Sequence, residues 1–169
     1  MTKSKFFTKN LKILLTISFL ILSIFSFSAD FNDYIEFNPS LYNIETREIT
    51  DDSSFLNFEL PENSQQMKIV LERNNLSYNI YILNFNSIYK LNSFWYNFVE
   101  EFSSDFNAFI STIPALYGRY NGLYENEVMY SWFVGLQKNM FVIIGPDKTI
   151  IEDLKYKINK FRWFCYELL

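Results

Sequence analysis

Carboxylates are the side chains with the greatest catalytic reach in this 169-residue chain, because histidine is absent. Without imidazole the usual general base near neutral pH and the commonest metal ligand are both missing, and serine or cysteine nucleophiles relayed through histidine go with them. Two pairs of acids stand close enough in sequence to act together, Glu100 with Glu101 and Glu125 with Glu127. Paired acids hydrolyse a glycosidic bond when one is held protonated and the other ionised on either side of it, roughly 5 to 9.5 Å apart. Glu100 and Glu101 fall on the polar side of an amphipathic segment, where a solvated surface is the plainer account. Glu125 and Glu127 are expected on one strand face beside Arg119, Tyr120 and Tyr124, so they are the carboxylates a shallow site would use, with edge-strand solubility as the bland alternative.

Aromatic rings are the second group with reach. Tyr117, Tyr120, Tyr124 and Tyr130 are interleaved with Arg119, Gly118 and Gly122, and tyrosine offers stacking area and a hydroxyl at small entropic cost. Tyr156 and Trp163 stand seven residues apart, which on a helix stacks them on one side, here the charged one. Arg119, Tyr120, Tyr124, Tyr130, Tyr156 and Trp163 therefore form the expected ligand or partner surface, and it requires Tyr120 and Tyr124 to be exposed together. Ordinary packing in a tyrosine-rich chain, and coverage of Tyr156 and Trp163 by the N-terminal segment, are the competing readings. The lone Cys165 shares a helical stripe with Phe161 and Leu168 and reads as a buried, inert thiol.

No phosphate-cradling glycine loop, dinucleotide fingerprint, zinc-type spacing or calcium loop occurs, and four glycines are all the chain has to build one. Asp51 and Asp52 lack the ordered spacing of a calcium cage. Neither a cofactor nor a metal is expected.

The compartment is set by the leading segment. Lys3, Lys5, Lys9 and Lys12 precede an uncharged, largely apolar run from Ile13 to Phe27, the layout of a secretory signal. Ser26 and Ser28 give small-x-small recognition with the cut after Ser28, and no cysteine stands near for lipidation. The run is shorter than the ~18 to 20 apolar residues of a bilayer-spanning helix, and a retained anchor over residues 11–28 is the alternative. Beyond residue 28 the chain holds eleven basic and nineteen acidic residues, a net charge of −8. Nine of those acids lie in residues 30–62 against Arg47 alone, so residues 29–54 read as an acidic arm on a single α+β domain spanning residues 55–169. A net negative chain disfavours nucleic acid, whose affinity rests on phosphate neutralisation. A single cysteine leaves stability to packing rather than disulfides.

The elements that would position these residues follow from periodicity. Phe31 to Phe37 alternates like a short strand, and Leu41 to Ser54 reads as irregular. Strands are expected over Phe55–Leu60, Gln66–Glu72, Leu76–Phe85, Val128–Val134 and Met140–Ile144, with a hairpin turn at Arg73-Asn74-Asn75 and a loop or short hairpin between Pro114 and Glu127. Several strands are apolar on both faces, as inside a sheet. Leu91 to Ile113 shows a helical stripe of Leu91, Trp95, Phe98, Val99, Phe102, Phe106, Phe109, Ile110 and Ile113, which Asn92 or Ser93 would cap at its start, Pro114 would end, and the Ser103-Ser104-Asp105 cluster can split in two. A last helix begins at a Thr149–Glu152 capping box and buries Ile150, Ile151, Leu154, Ile158 and Phe161. The expected fold is α+β, a mostly antiparallel sheet of five or six strands with two amphipathic helices packed on one face, in hairpin-helix, hairpin-helix order.

These features predict an exported, non-enzymatic binding or interaction domain of the bacterial cell envelope or extracellular space, periplasmic, surface-held or secreted. Its partner would be an envelope or extracellular protein or glycan. A small carboxylate-dependent hydrolase acting on glycans is the first alternative. The second is a membrane-tethered domain with a retained leader, the one case in which membrane contact is expected.

Overall fold

The computed structural model describes residues 29–102 and 109–164. Within them the chain is α+β, built on a large antiparallel sheet and two helices. The strands of this sheet are β1 (Asn43–Thr50), β4 (Gln65–Arg73), β5 (Leu76–Asn84), β6 (Phe109–Ile113), β7 (Tyr117–Tyr124), β8 (Glu127–Val134) and β9 (Asn139–Gly145). A separate small hairpin joins β2 (Ser54–Phe55) to β3 (Phe58–Glu59). Helix α1 spans Ile88–Phe102 and α2 spans Lys148–Phe164. The sheet order is β1-β4-β5-β9-β8-β7-β6, every neighbouring pair antiparallel. After β5 the chain crosses by way of α1 to the far edge, then returns as the meander β6 to β9, which brings β9 against β5.

Turn chemistry sets the register. Asn74 and Asn75 have φ of 56° and 60°, and Glu125 and Asn126 have 50° and 71°, the left-handed pairs of a two-residue hairpin turn whose twist suits the flanking strands. Arg73 therefore pairs with Leu76, and Tyr124 with Glu127.

Seven strands, rather than five or six, compose the sheet, and the helices lie on opposite faces, not on one. Met67, Ile69, Tyr78, Ile80, Ile82, Trp132, Phe141 and Ile143 share a core with Ile150, Ile151, Leu154 and Ile158 of α2. Leu83, Tyr120, Met129, Phe133, Met140 and Val142 share the other with Leu91, Phe94, Trp95 and Phe98 of α1. The reason lies in the strands themselves: β9 is buried along its whole length, so a sheet apolar on both faces needs a cover on each.

The additional strands come from segments disguised by polarity, as in β1, by glycines, as in β7, or by a competing helical period, as in β6. β1 lies in the stretch expected to be irregular; it is an edge strand whose Glu45, Arg47 and Glu48 interrupt a template for further pairing. β6 and β7 take in the end of the expected long helix and the expected loop. Helix α1 is described as far as Phe102 and β6 from Phe109, and Pro114 keeps Ile113 extended. Phe31–Glu36 is a 3-10 helix rather than a strand. Asp30 and Asp33 form a reciprocal capping box at its start, and Phe31, Tyr34 and Phe37, three apart, all point into the α2-side core.

The caps also sit earlier than expected. Ser87 Oγ accepts the Lys90 amide at the head of α1, and Asp147 Oδ1 accepts the Thr149 amide at 2.7 Å at the head of α2. Among the described residues no helix is long and apolar enough to cross a membrane. The leader, Ser103-Ser104-Asp105 and Cys165 lie outside the described residues.

Candidate functional site

Strand alternation decides where the expected surface residues go. On β7, Gly118, Tyr120, Gly122 and Tyr124 face α1, while Tyr117, Arg119, Asn121 and Leu123 face the α2 side. Tyr120 is fully buried and packs on Phe98 and Phe102, with ring centroids 6.2 and 5.9 Å away. It is a core residue, which removes it from the expected surface and breaks the requirement that Tyr120 and Tyr124 be exposed together. Gly122 lies mid-strand, paired with Met129, instead of in a loop, and a side chain there would collide with the Tyr120 hydroxyl.

Arg119, Tyr130 and Tyr156 do come together. With Asn121, Glu152, Lys155 and Asn159 they line a hollow of about 520 Å³ between the outer strands and the flank of α2. Arg119 and Asn121 are two apart on β7, and Asn121 pairs with Tyr130 of β8, so all three project from the same face. Glu152, Lys155, Tyr156 and Asn159 recur at helical spacing on α2. Lys155 Nζ sits 4.3 Å from the centroid of the Tyr130 ring, a cation held over a π face. Burial pushes the Lys155 ammonium below its ordinary value. Burial also pushes the Tyr130 hydroxyl up, opposed by the neighbouring Arg119 guanidinium. Tyr117 beside it is raised by burial first, then by Tyr130. The hollow is thus a cationic site of partly desolvated groups, in which an anion gains more than it would on an open surface.

Tyr124, Glu125 and Glu127 fall on the opposite side of the sheet. With Leu56, Asn79 and Tyr81 they line a separate hollow of about 500 Å³. Glu125 is a turn residue rather than a strand neighbour of Glu127, and Tyr124 packs its ring 6.0 Å from Phe102. Burial and then Glu125 raise the Tyr124 hydroxyl. Glu100 and Glu101 are exposed on α1, and Glu101 lines an adjoining hollow of about 340 Å³ that shares Leu56 and Tyr124 with the Glu125–Glu127 hollow. Trp163 belongs to the last turn of α2, and its side chain lies outside the described residues. Tyr156 is 64% exposed, uncovered by the N-terminal segment.

Sequence reasoning missed Asn121, Glu152, Lys155 and Asn159. Glu152, Lys155, Tyr156 and Asn159 were legible as a polar stripe bordering the apolar one; that they meet Arg119 was not.

Among the described residues, no group of three or more acids and cysteines is placed to hold a metal ion. The hollow between β7 and α2 combines the charged and amide heads of Arg119, Asn121, Glu152, Lys155 and Asn159 with the rings of Tyr130 and Tyr156.

The class this architecture defines is an α+β sandwich of a seven-stranded antiparallel sheet between two helices. Among solved structures the chain is similar to a GTP binding regulator from Thermotoga maritima, with a TM-score of 0.60 and 10% sequence identity over 78% of this chain and 85% of that one. At that identity the likeness is one of fold. No protein-family profile matches the chain, and no curated protein matches its sequence.

Proposed function

We propose that the chain is an exported binding domain, rather than an enzyme, that holds an acidic sugar of the cell envelope or extracellular space in the hollow between β7 and α2. One observation carries this reading: Arg119 and Lys155 converge beside Tyr130 in a concavity of about 520 Å³, on a protein whose residues beyond 28 carry a net charge of −8. The size falls within the range of small-ligand sites, roughly 300 to 1,000 Å³. A guanidinium and an ammonium receive a carboxylate, Asn121, Asn159 and Glu152 are suited to hydroxyls, and the exposed Tyr156 ring offers a face for the apolar side of a pyranose. The basic segment and apolar run at residues 3–27 support export, with the folded body following from Ala29.

The GTP of the structural neighbour is not carried over to this chain. Gly118, Gly122, Gly135 and Gly145 all pack against side chains or backbone and none has a positive φ, which leaves no glycine loop for phosphates.

The test is an NMR titration of the protein with D-galacturonate, with D-galactose as the neutral comparison. The expected result is amide shifts at residues 119–121 and 152–159 for the acid alone, weakened about tenfold or more by Arg119→Gln, since a hydrogen bond to a charged group contributes about 1.5 to 3 kcal/mol. Equal binding of both sugars would overturn the acidic class, and shifts confined to other residues would overturn the site.

A further inference from the structure

Tyr156 lines two hollows, not one. The second, of about 310 Å³, lies on the opposite flank of α2, where Phe37, Ser40, Lys157, Lys160 and Phe161 surround it. At 100° per residue, Lys155 and Asn159 lie to one side of Tyr156 around the helix and Lys160 and Lys157 to the other. The floor of this second hollow is aromatic: Phe37 and Phe161 meet edge to face with centroids 5.3 Å apart. Its wall is fastened, because Arg47 donates to the Phe37 carbonyl and Lys157 Nζ reaches Ser40 Oγ at 3.4 Å. Asp153 stands 3.9 Å from Lys157 but does not line either hollow.

Charge is segregated here. Arg119, Lys155, Lys157 and Lys160 line the two hollows against Glu152 as the single acid, although acids outnumber bases nineteen to eleven beyond residue 28. Signs on an ordinary solvated surface are interspersed. Lys155 and Lys160 are five residues apart, about 7.5 Å along the helix axis, with the Tyr156 ring between them. Repeated cations on either side of an exposed aromatic ring match a chain of sugars that carries repeated negative charges, whereas a single sugar reaches one hollow only.

We propose that the hollow between α2 and the Phe37–Ser40 turn is a second subsite of the same binding face, so that the ligand is an acidic oligosaccharide laid across Tyr156. This rests on the reading of the Arg119–Lys155 hollow as a sugar-acid site. The two subsites add as linked binding events do, the second occurring at the high effective concentration imposed by the first.

The experiment compares D-galacturonate, trigalacturonate and the neutral maltotriose by isothermal titration against the native protein, Tyr156→Ala and the double variant Lys157→Gln/Lys160→Gln, with circular dichroism and amide spectra confirming that each variant is folded. The expected result is trigalacturonate binding about tenfold or more tighter than the monomer, a ratio that falls toward one in the double variant and in Tyr156→Ala, with maltotriose inactive. A trimer no tighter than the monomer, or a gain that persists in the folded double variant, overturns the second subsite and leaves the first standing. Maltotriose binding as tightly as the acidic trimer overturns the role of charge, and failure of both acids to bind removes the two readings together.

Discussion

The Tyr42 hydroxyl donates a 2.7 Å hydrogen bond to the Asp153 carboxylate, joining the segment that leads into β1 to the outer face of α2 across 111 residues of sequence. Arg73 at the end of β4 completes the contact, with Nη1 3.0 Å from the same hydroxyl and 3.3 Å from Asp153. Three elements are thereby fastened at one point. Tyr42→Phe keeps the ring and its stacking under Arg73, centroid 5.0 Å from the guanidinium carbon, and removes only the hydroxyl. The expected loss is about 1 to 2 kcal/mol, read from urea denaturation.

The same hydroxyl gives a pH dependence. Its pKa is pushed up to about 12, by burial first and then by the bond to Asp153. A raised pKa favours the protonated folded state, so the contribution is fully present below the ordinary tyrosine value of about 10 and is lost as pH climbs from there through about 12. Thermal unfolding midpoints should therefore fall over this window, and Tyr42→Phe should remove that part of the fall. A variant whose midpoint declines as steeply as the native protein's would show that other groups carry it.

Gly118 admits α1 to the sheet. A Cβ there would collide with the Phe133 ring and with the Trp95 indole, whose Nε1 donates to Thr112 Oγ1 at 3.0 Å. Gly118→Ala should destabilise the protein by about 1 to 3 kcal/mol through overpacking, and Gly118→Val by more. Trp95→Ala, which instead empties the site, should cost about 3 to 5 kcal/mol. Denaturation midpoints decide both, and an unperturbed Gly118→Ala would mean that Trp95 and Phe133 shift aside easily.

Ala29 is buried and its backbone nitrogen donates to the Arg162 carbonyl at 2.9 Å. A leader cut after Ser28 keeps this residue, while a cut one residue later deletes the contact that ties the start of the fold to the end of α2. Intact-mass measurement of the protein from fractionated cells should give a chain beginning at Ala29. A mass that includes residues 1–28 would replace a released domain with an anchored one.

Glu125 and Glu127 line their own hollow on the α1 side, so the hydrolase alternative has a definite location. Prolonged incubation with trigalacturonate should leave its chain length unchanged by mass spectrometry. Shorter products, abolished by Glu125→Gln or Glu127→Gln and retained in Arg119→Gln, would move the chemistry to that hollow.

Local chemistry was legible along most of the chain. The Asn74-Asn75 turn falls where Arg73 and Leu76 pair, β4, β5, β8 and β9 occupy the expected apolar runs within a residue or two, and the stripe of α2 buries Ile150, Ile151, Leu154 and Ile158 as its spacing requires. Misreadings occurred where two periods compete over a few residues. Phe31, Tyr34 and Phe37 satisfy a three-residue repeat better than an alternating one, and the aromatic stripe of α1 runs in register toward Ile110 and Ile113, which are strand residues of β6.

By itself the sequence determined β4, β5, β8, β9, the start of α2 and the Asn74-Asn75 turn, the charged and apolar leading segment, and the absence of histidine, because each depends on residues within a few positions of one another. Only the tertiary structure decided which of the candidate side chains meet. Arg119 and Tyr120 are adjacent in the chain yet stand on opposite faces of the sheet, one beside Lys155 and the other in the core under α1. Which face receives which helix depends on how all the strands pair, and no local pattern encodes that choice. Once α2 covers the face that Arg119 shares with Tyr130, the polar border of the helix and the odd-numbered residues of β7 have no alternative but to meet.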